Sequence, residues 1–494
     1  MRPPAIGDGA VAGTVRFGSA AGRWIIVAAI LGSGIAFLDS TVVNVALPAI
    51  RRDLGGGLSG LQWTLDGYLL TLSALLLLGG ALGDEYGRKR VFVIGLVAFT
   101  VASLLCGVAP NIGTLIAARA LQGVGGALLV PGSLALISAS FATDDRGAAI
   151  GAWSGLTGVS TAIGPFLGGW LVDAVSWRLV FLINLPLAAV AVWVAVRHVP
   201  ESSDPEAGRR PDFRGAIAVT IGFAGVVFAL IEGPSNGWSP AVLTAAAVGT
   251  LGLVAFPFVE LAERNPLVPL EIFRSRQFTG ANLTTFAVYA GLGTATFLLV
   301  LELQTVLGYS AIEVGSALLP ITVLMLLLSA RAGRLAQRIG PRLPMTVGPL
   351  VVAAALLLLS RIGPGDSYLA GVLPGVAVLG LGLALTVAPL TAAVLAAVED
   401  RHMGVGSGVN NAVARVAALL SVAVLPVAVG LTGDATAAEF TTGVGRALVV
   451  SAGLAVLGGA VAAITIRRAV AHRPTTQASF NQSCHDPCVR SEAA

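Results

Sequence analysis

The feature that most limits what this chain can fold into is its series of apolar segments, each long enough to cross a lipid bilayer. A hydrocarbon layer about 30 Å thick is crossed by roughly 20 helical residues, and the segments from Trp24 to Leu47 and from Leu179 to Val196 meet that requirement. Of the 494 residues, 55% are hydrophobic and 11% are charged, whereas soluble domains contain about 25% charged residues. The sequence therefore excludes a soluble protein and predicts an all-α polytopic membrane protein.

Ionisable residues inside these segments are few. Because such a group is costly in a bilayer unless it faces a partner or a wet cavity, each one is a candidate functional residue. The net charge of +4 is small for this length and gives no support to nucleic-acid binding. The chain contains no Walker-type loop for ATP and is too apolar to hold a soluble enzyme domain. We therefore expect no enzymatic activity, no cofactor, and an ion gradient as the energy source.

The three cysteines predict neither a disulfide framework nor a metal centre. Cys106 lies in an apolar segment, while Cys484 and Cys488 lie in the polar C-terminal tail. Together with His485, the tail cysteines have ligand types that suit a soft metal ion, but their composition favours a disordered end.

Charge clusters and Gly/Pro punctuation divide the chain into fourteen predicted spans. The spans begin near Trp24, Leu61, Arg90, Gly113, Gly147, Leu179, Phe213, Pro240, Phe278, Ile312, Leu343, Tyr368, Val405 and Gly443. When successive loops are assigned to alternate sides, most basic residues fall on one side. The other side holds only Arg51, Arg52, Arg178, Arg361 and Arg446. By the positive-inside rule the basic side is cytoplasmic, which predicts an inner-membrane protein with both termini in the cytoplasm and the first span as signal anchor.

An internal repeat relates the two ends of the chain. The segment from Gly80 to Lys89 reads GALGDEYGRK and returns 253 residues later, from Gly333 to Arg342, as GRLAQRIGPR. A second echo links Asp145-Arg146 to Asp400-Arg401 at a spacing of 255 residues. Two matches at nearly one spacing predict two homologous halves. The spacing covers eight spans, so two spans are inserted if each half has six.

These patterns give a predicted domain layout of two bundles, an inserted pair and polar connectors. It consists of an N-terminal tail (1–23), a six-helix bundle (24–198), a linker (199–212), two inserted helices (213–260), a connector (261–277), a second six-helix bundle (278–467) and a C-terminal tail (468–494).

Five motifs follow one another along the first half. They are LDSTVVNVALP at Leu38 to Pro48, the loop from Gly80 to Arg90, RALQG at Arg119 to Gly123, a Gly-Pro series from Gly155 to Gly169, and the segment from Trp177 to Pro186. In this order they resemble the fourteen-helix drug/proton antiporter branch of the major facilitator superfamily, and the resemblance covers roughly Trp24 to Arg467. It implies two six-helix bundles around a central cavity and export of small lipophilic or amphipathic compounds in exchange for protons.

Asp39, in the middle of the first span, is the predicted proton-coupling acid. Burial disfavours the charged form of a carboxyl group and a nearby Arg favours it, so a change in water access could switch its charge. The resemblance implies the coupling role for Asp39 and implies that Arg119, in the fourth span, assists by tuning a nearby carboxylate. The alternatives are a structural hydrogen bond for Asp39 and a purely structural clamp for Arg119. Asp66 is a second candidate coupling acid.

The fifth span carries the small residues Gly151, Gly155 and Gly158, followed by Gly164, Pro165, Gly168 and Gly169. We expect a close-packed yet deformable helix face, because glycine permits close approach and proline bends the helix. The resemblance implies an antiporter motif that seals a proton leak and gates rocking; simple helix packing is the alternative.

The loop after the second span contains Gly80, Asp84, Gly87, Arg88 and Lys89, which the resemblance implies to be a cytoplasmic gate. The alternative is a basic anchor at the lipid headgroups. Since Gln337 replaces the acid in the echo, the first-half loop is expected to hold the stronger charge contact.

A substrate cavity is predicted from polar and aromatic residues in three spans. The candidates are Trp63, Asp66, Glu302, Gln304, Asn410, Asn411 and Arg415. An acid beside aromatic rings would attract a lipophilic cation, while a buried Arg415 would balance the acids or receive an anion. Asp66 and Glu302 could instead be solvated residues near the outer ends of their helices.

The sequence as a whole predicts a proton-coupled exporter of drug-like compounds that works as a monomer with small-molecule and proton partners. The alternatives are a dedicated exporter of one metabolite, antibiotic or siderophore, a transport-dead sensor, and a proton symporter.

Overall fold

The computed structural model describes residues 15–203, 211–263, 266–398, 403–431 and 436–467. Apart from one isolated β-bridge between Val15 and Phe141, the described ranges contain helices, turns and connectors only. The all-α prediction is confirmed. The second repeat echo at Asp400-Arg401, the centre of the 199–212 linker and the cysteine-containing tail lie outside the described residues.

Fourteen helices in the described ranges are long and apolar enough to cross a membrane, as predicted. They are α1 (Ala20–Leu54), α2 (Gly57–Tyr86), α3 (Arg88–Gly107), α4 (Ile112–Ser140), α5 (Asp144–Ala174), α6 (Leu179–His198), α7 (Phe213–Asn236), α8 (Pro240–Ala262), α9 (Arg276–Thr305), α10 (Ala311–Ile339), α11 (Arg342–Leu359), α12 (Tyr368–Leu395), α13 (Gly404–Ala428) and α14 (Ala438–Thr465). Because the number of spans is even, the chain enters α1 and leaves α14 on the same side of the membrane. We call this the terminal side and the opposite one the distal side.

Local capping explains where several helices begin. The Ser19 hydroxyl accepts from the Gly22 N–H at the start of α1, and the Ser239 hydroxyl caps α8 directly before Pro240. Thr436 and Glu439 form a capping box at the start of α14. This box starts the helix several residues before the predicted start near Gly443, because a polar helix cap extends the helix beyond its apolar stretch.

The pairing of helices in the first six spans recurs in the last six. In the first set α4 packs against α2 and α3, and α1 packs against α5; in the second set α12 packs against α10 and α11, and α9 packs against α13. The repeated loops also share a backbone feature: Gly87 ends α2 with a φ of 105° and Gly340 ends α10 with a φ of 85°. Positive φ favours glycine, which explains why glycine occurs at this point in both copies.

The inserted helices α7 and α8 pack closely against each other and flank the bundles. A Cβ added at Gly225 would lie 2.4 Å from the Ala245 carbonyl oxygen, so the two backbones are in direct contact. α7 also contacts α2 and α13, where Val227 and Ile231 pack with Leu70. The inserted pair is thus attached where α2 of the first bundle meets α13 of the second bundle.

The outer faces of the helices are apolar. Leu261 is 71% exposed and Leu326 is 62% exposed, although leucine in a water-soluble domain is among the most often buried residues. Large apolar side chains on the outside and charged side chains inside suit a protein whose surrounding solvent is lipid.

Candidate functional site

A buried ion pair joins α1 to α4 in the interior of the first bundle. The Arg119 guanidinium donates to Asp39 Oδ2 at 2.5 Å, and each residue is only 1% exposed. Arg119 Nε also donates to the Thr64 carbonyl oxygen of α2 at 3.0 Å. Asp39 therefore lies neither against lipid nor at a water-exposed surface, and α1, α2 and α4 are connected through one guanidinium.

Two side-chain amides complete the surroundings of Asp39. Gln122 Nε2 donates to Asp39 Oδ1 at 2.8 Å, and Asn184 Nδ2 of α6 donates to the same oxygen at 3.1 Å. Both amides also donate to the hydroxyl of Ser103 in α3, at 2.7 and 3.1 Å. The Asp39 carboxylate thus accepts from one guanidinium and two amides, and five helices meet around it.

Aromatic rings cover the ion pair. The guanidinium carbon of Arg119 lies 4.4 Å from the ring centroid of Tyr68 and 5.7 Å from that of Phe181. Cation–π contact of this kind stabilises a desolvated guanidinium. The sequence located Asp39 and Arg119 because isolated charges in apolar spans are conspicuous, but it gave no role to Ser103, whose hydroxyl looks like any other helix hydroxyl.

Asp66 is completely buried and lacks partners. It is 0% exposed, and neither carboxyl oxygen has a hydrogen-bond partner among the described residues. One turn earlier on α2, Gln62 Nε2 donates to the Val422 carbonyl oxygen of α13 at 2.6 Å. Asp66 therefore lies on the side of α2 that meets the second bundle, and the alternative of a solvated residue is wrong.

Trp63 contacts the inserted pair instead of the predicted cavity. Its indole N–H donates to Glu232 Oε1 of α7 at 2.7 Å, and its ring centroid lies 6.2 Å from that of Phe228. The cavity prediction for Trp63 is wrong because the inserted helix covers this face of α2.

Glu302 is buried as well, so its alternative as a solvated outer residue is also wrong. It is 2% exposed, and the Thr441 hydroxyl of α14 lies near its carboxyl group. Neighbouring Gln304 crosses between the bundles, because its amide donates to the Val45 carbonyl oxygen of α1 at 2.9 Å.

The three polar residues predicted on α13 have different surroundings. Asn410 Nδ2 donates to Asn282 Oδ1 at 3.1 Å and to Thr285 Oγ1 at 2.7 Å, so it joins α13 to α9 within the second bundle. Asn411 is exposed and donates to the Ser407 carbonyl oxygen of its own helix. Arg415 reaches the first bundle, with its guanidinium carbon 5.7 Å from the Phe37 ring centroid.

The small residues of α5 are closely packed in one half of the helix only. On the distal half, an added Cβ would lie 2.0 Å from Thr41 Oγ1 at Gly164, 2.9 Å from Val42 at Gly168 and 2.4 Å from the Ala311 carbonyl oxygen at Gly169. On the terminal half, a Cβ at Gly151, Gly155 or Gly158 would meet no atom within 4 Å. The expectation of close packing is therefore wrong for the terminal half.

The contact between α5 and α10 explains this difference. The Pro165 carbonyl oxygen would lie 2.3 Å from a Cβ on Gly315, and Asp173 accepts from the Ala311 and Ile312 N–H groups at the start of α10, at 3.3 and 2.8 Å. Together with the bonds from Gln62 and Gln304, these contacts hold the bundles together on the distal side, while α5 faces open space towards the terminal side.

The loop between α2 and α3 holds one internal ion pair. Arg88 pairs with Asp84 at 2.7 Å, one helical turn away; the second-half copy shows no ion pair in the part of the chain that the structure describes. A Cβ added at Gly80 would lie 3.7 Å from Pro131 Cβ, which is an ordinary contact distance. The charge contact is thus in the first-half loop.

Glu201, which sequence reasoning did not select, caps α3. Its carboxylate accepts from the Lys89 N–H at 3.0 Å and from the Arg90 N–H at 3.1 Å. A Cβ on Gly87 would lie 2.8 Å from Glu201 Oε1, so Gly87 also makes room for the cap. An acid three residues after the end of α6 was the available signal.

We expect Glu201→Gln to loosen this loop, because a neutral amide loses the charge interaction with the helix N-terminus and cannot accept at both oxygens. Losing such a cap costs about 0.5–2 kcal/mol. Faster protease cleavage near Gly87 in membrane vesicles would show the effect. Glu271→Gln, on the connector before α9, is the control; equal cleavage of both variants would contradict a capping role.

A doubled helix bundle that is closed on one side and carries an ion pair in its interior defines a multi-pass membrane transporter. Residues 29–422 match the family model described as Major Facilitator Superfamily. The chain belongs to the Major Facilitator Superfamily.

Relatives of known name support this assignment. The chain is 35% identical over 403 residues to Multidrug resistance protein Stp of Mycobacterium tuberculosis, covering 81% of this chain and 74% of that protein. It is 37% identical to the Probable actinorhodin transporter of Streptomyces coelicolor, covering 89% and 78%. It is 36% identical to the Methylenomycin A resistance protein of Bacillus subtilis, covering 84% and 89%.

Solved transporters share the fold. A bacterial homologue of the human lysosomal transporter Spinster matches with a TM-score of 0.64 and 17% identity, covering 90% of this chain and 97% of that chain. A peptide transporter POT in complex with sulfate matches with a TM-score of 0.65 and 15% identity, covering 92% and 96%. At this identity the likeness confirms the predicted fold and nothing further.

Proposed function

We propose that the protein exports small lipophilic or amphipathic compounds, drugs among them, in exchange for protons. The observation that carries the proposal is the sealed cluster at Asp39, because a carboxylate isolated from solvent inside the bundle can hold a proton that is exchanged only when the helices move. The names of the relatives, which refer to multidrug and methylenomycin A resistance, support drug export. The proton gradient is the energy source, and no cofactor takes part.

The surroundings of the two acids suggest how a proton is handled. Asp39 faces donors from Arg119, Gln122 and Asn184, which fits an ionised carboxylate. Asp66 faces no donor among the described residues, and a buried carboxyl without partners fits the neutral form. The two acids therefore differ in their hydrogen-bond surroundings, and both are candidates for proton coupling.

Alternating access follows from the unequal packing of α5. In this state the distal halves of α5 and α10 are in contact and the terminal half of α5 is free. Rocking would close the terminal half over Gly151, Gly155 and Gly158 and open the distal contact. Substrate binding and proton binding must favour different states, because a ligand shifts an equilibrium only by its difference in affinity for the two.

Sidedness follows the distribution of basic residues. We propose that the terminal side is cytoplasmic and that the protein lies in the inner membrane as a monomer, since its basic loop residues are concentrated there. The state seen here would then be open to the cytoplasm and ready to receive a compound for export.

Purified protein in vesicles with a pH-sensitive dye tests the proposal. We expect that compound entry after adding methylenomycin A or ethidium on one side of the membrane releases protons on that same side, and only when the protein is present. A dissipated proton gradient should stop uptake of the compound. Compound movement without a pH change would contradict proton exchange.

A dedicated exporter is the second candidate, favoured by the relative that is named as a transporter of actinorhodin. A panel of chemically unrelated compounds in the same vesicles distinguishes the two, because a dedicated exporter would move one compound class only.

A further inference from the structure

We propose that Arg415 binds an anionic group of the exported compound, so that the protein accepts planar aromatic compounds with a carboxylate, phenolate or sulfonate. This inference rests on the proposed export function and specifies the substrate class of the site between the bundles.

Arg415 is a guanidinium without a partner. It lies in α13 and is at most partly exposed, and its Nε is buried without a hydrogen-bond acceptor. Within the part of the chain that the structure describes, Arg415 forms neither an ion pair nor a hydrogen bond. A permanently charged side chain inside a membrane protein is costly unless it meets acceptors or water, so a partly exposed Arg415 without a protein acceptor is free to bind an anion.

Arg119 provides the comparison within the same chain. It is fully buried, whereas Arg415 is partly exposed, and it meets Asp39, Gln122 and the Thr64 carbonyl oxygen. Its acceptors belong to one bundle and make it part of the fold. The contrast indicates that the missing acceptors of Arg415 come from outside the protein.

The surroundings of Arg415 are aromatic and come from both bundles. Phe37 of α1 lies 5.7 Å from the guanidinium carbon, and the tyrosines close enough to influence its charge are Tyr68 in α2 and Tyr289 in α9. Among the described residues, no carboxylate forms an ion pair with Arg415. A flat apolar molecule can lie against the rings while its negative group meets the guanidinium.

This position links binding to the transport cycle. Because α1 and α2 belong to the first bundle and α9 and α13 to the second, rocking changes the distance between Phe37 and Arg415. Asn411, one turn earlier on α13, is exposed on the same helix face and offers a further amide to the bound group. A compound held by both bundles is released when they separate on that side.

Transport of two probes by reconstituted protein tests the inference. The probes are 5-carboxyfluorescein, which is planar and anionic, and ethidium, which is planar and cationic. Wild-type protein should move the anion. Arg415→Gln should lower anion transport at least about tenfold, the effect of losing one charge-assisted contact, and should leave ethidium transport unchanged or higher. Arg415→Lys should keep part of the anion transport, because it retains charge without the planar fork.

The control is Arg331→Gln, since Arg331 is exposed on α10 and donates to the Leu327 carbonyl oxygen of its own helix. Should wild-type protein move ethidium and not the anion, Arg415 has another role while export stands. Movement of neither probe would overturn both proposals. An equal loss of both probes in Arg415→Gln would indicate a structural role and overturn the inference.

If Arg415→Gln assembles poorly, the shift in unfolding temperature caused by the anion can be measured in detergent with the other variants instead. Carboxyfluorescein should raise the unfolding temperature of wild-type protein and of Arg331→Gln, and raise that of Arg415→Lys less. An equal shift in Arg415→Lys and wild-type protein, with an unchanged ratio of anion to cation transport, would refute the assignment.

Discussion

Asp39→Asn is expected to abolish proton-driven export while the protein still reaches the membrane. Asn has nearly the shape of Asp and can accept from Gln122 or Asn184, but it cannot bind and release a proton. It also leaves the Arg119 charge buried without its ion partner. Removing one partner of a buried ion pair destabilises by about 3–5 kcal/mol, so a lower unfolding temperature should accompany the loss of transport.

The double variant Asp39→Asn/Arg119→Gln separates coupling from stability. With both charges removed no unpaired charge is left, and replacing a buried pair by neutral groups is often tolerated. We expect the unfolding temperature to recover towards that of the wild type while the substrate-triggered pH change in vesicles remains absent.

The comparison with Arg119→Gln alone completes the test. This variant retains Asp39 but removes the donor that holds its charge, so any remaining pH response should have a different pH profile. Full proton coupling in Asp39→Asn would show that the proton is carried elsewhere, with Asp66 as the next acid to replace.

Gly169→Val is expected to stop transport by preventing closure on the distal side. Even a Cβ at Gly169 would lie 2.4 Å from the Ala311 carbonyl oxygen and 2.6 Å from Ile312, and these are backbone atoms that cannot rotate away. Overpacking of this kind costs about 1–3 kcal/mol. The closed distal contact should lose population in favour of the opposite state.

Gly155→Val is the matched control, because it adds the same side chain to the same helix where no atom lies within 4 Å. It should leave this state and the unfolding temperature unchanged. If the terminal half of α5 packs in the opposite state, Gly155→Val should still slow transport. Thiol labelling of a cysteine placed at Val45 should increase in Gly169→Val and not in Gly155→Val; equal labelling would contradict the proposed closure.

The sequence predicted the helices well for a physical reason. Apolar length and loop charge are properties of single segments, so the fourteen spans required no knowledge of their neighbours. Asp39 and Arg119 were found in the same way, since a lone charge in an apolar span needs a partner. That Arg119 acts on a nearby carboxylate was implied by the family resemblance, and the structure identifies that carboxylate as Asp39.

What the sequence did not predict depends on which helices meet. Trp63 was expected in the cavity, but α7 covers it through Glu232, and no local pattern in α2 reports the position of an inserted helix. Glycines recur along the whole of α5, yet only those near Gly169 are packed. Glycines show where a helix can approach a neighbour closely. The tilt between the two helices determines which of those glycines are in contact.

The distal closure also has a consequence for how the protein can change over evolutionary time. Three of its contacts run from a side chain to main-chain atoms: Gln62 to the Val422 carbonyl oxygen, Gln304 to the Val45 carbonyl oxygen, and Asp173 to the amides that begin α10. Every amino acid at Val422 or Val45 presents the same carbonyl group. The residues that supply main-chain atoms can therefore be substituted without loss of these hydrogen bonds. The lining of the transport pathway can then change to suit new substrates while the distal contacts are kept.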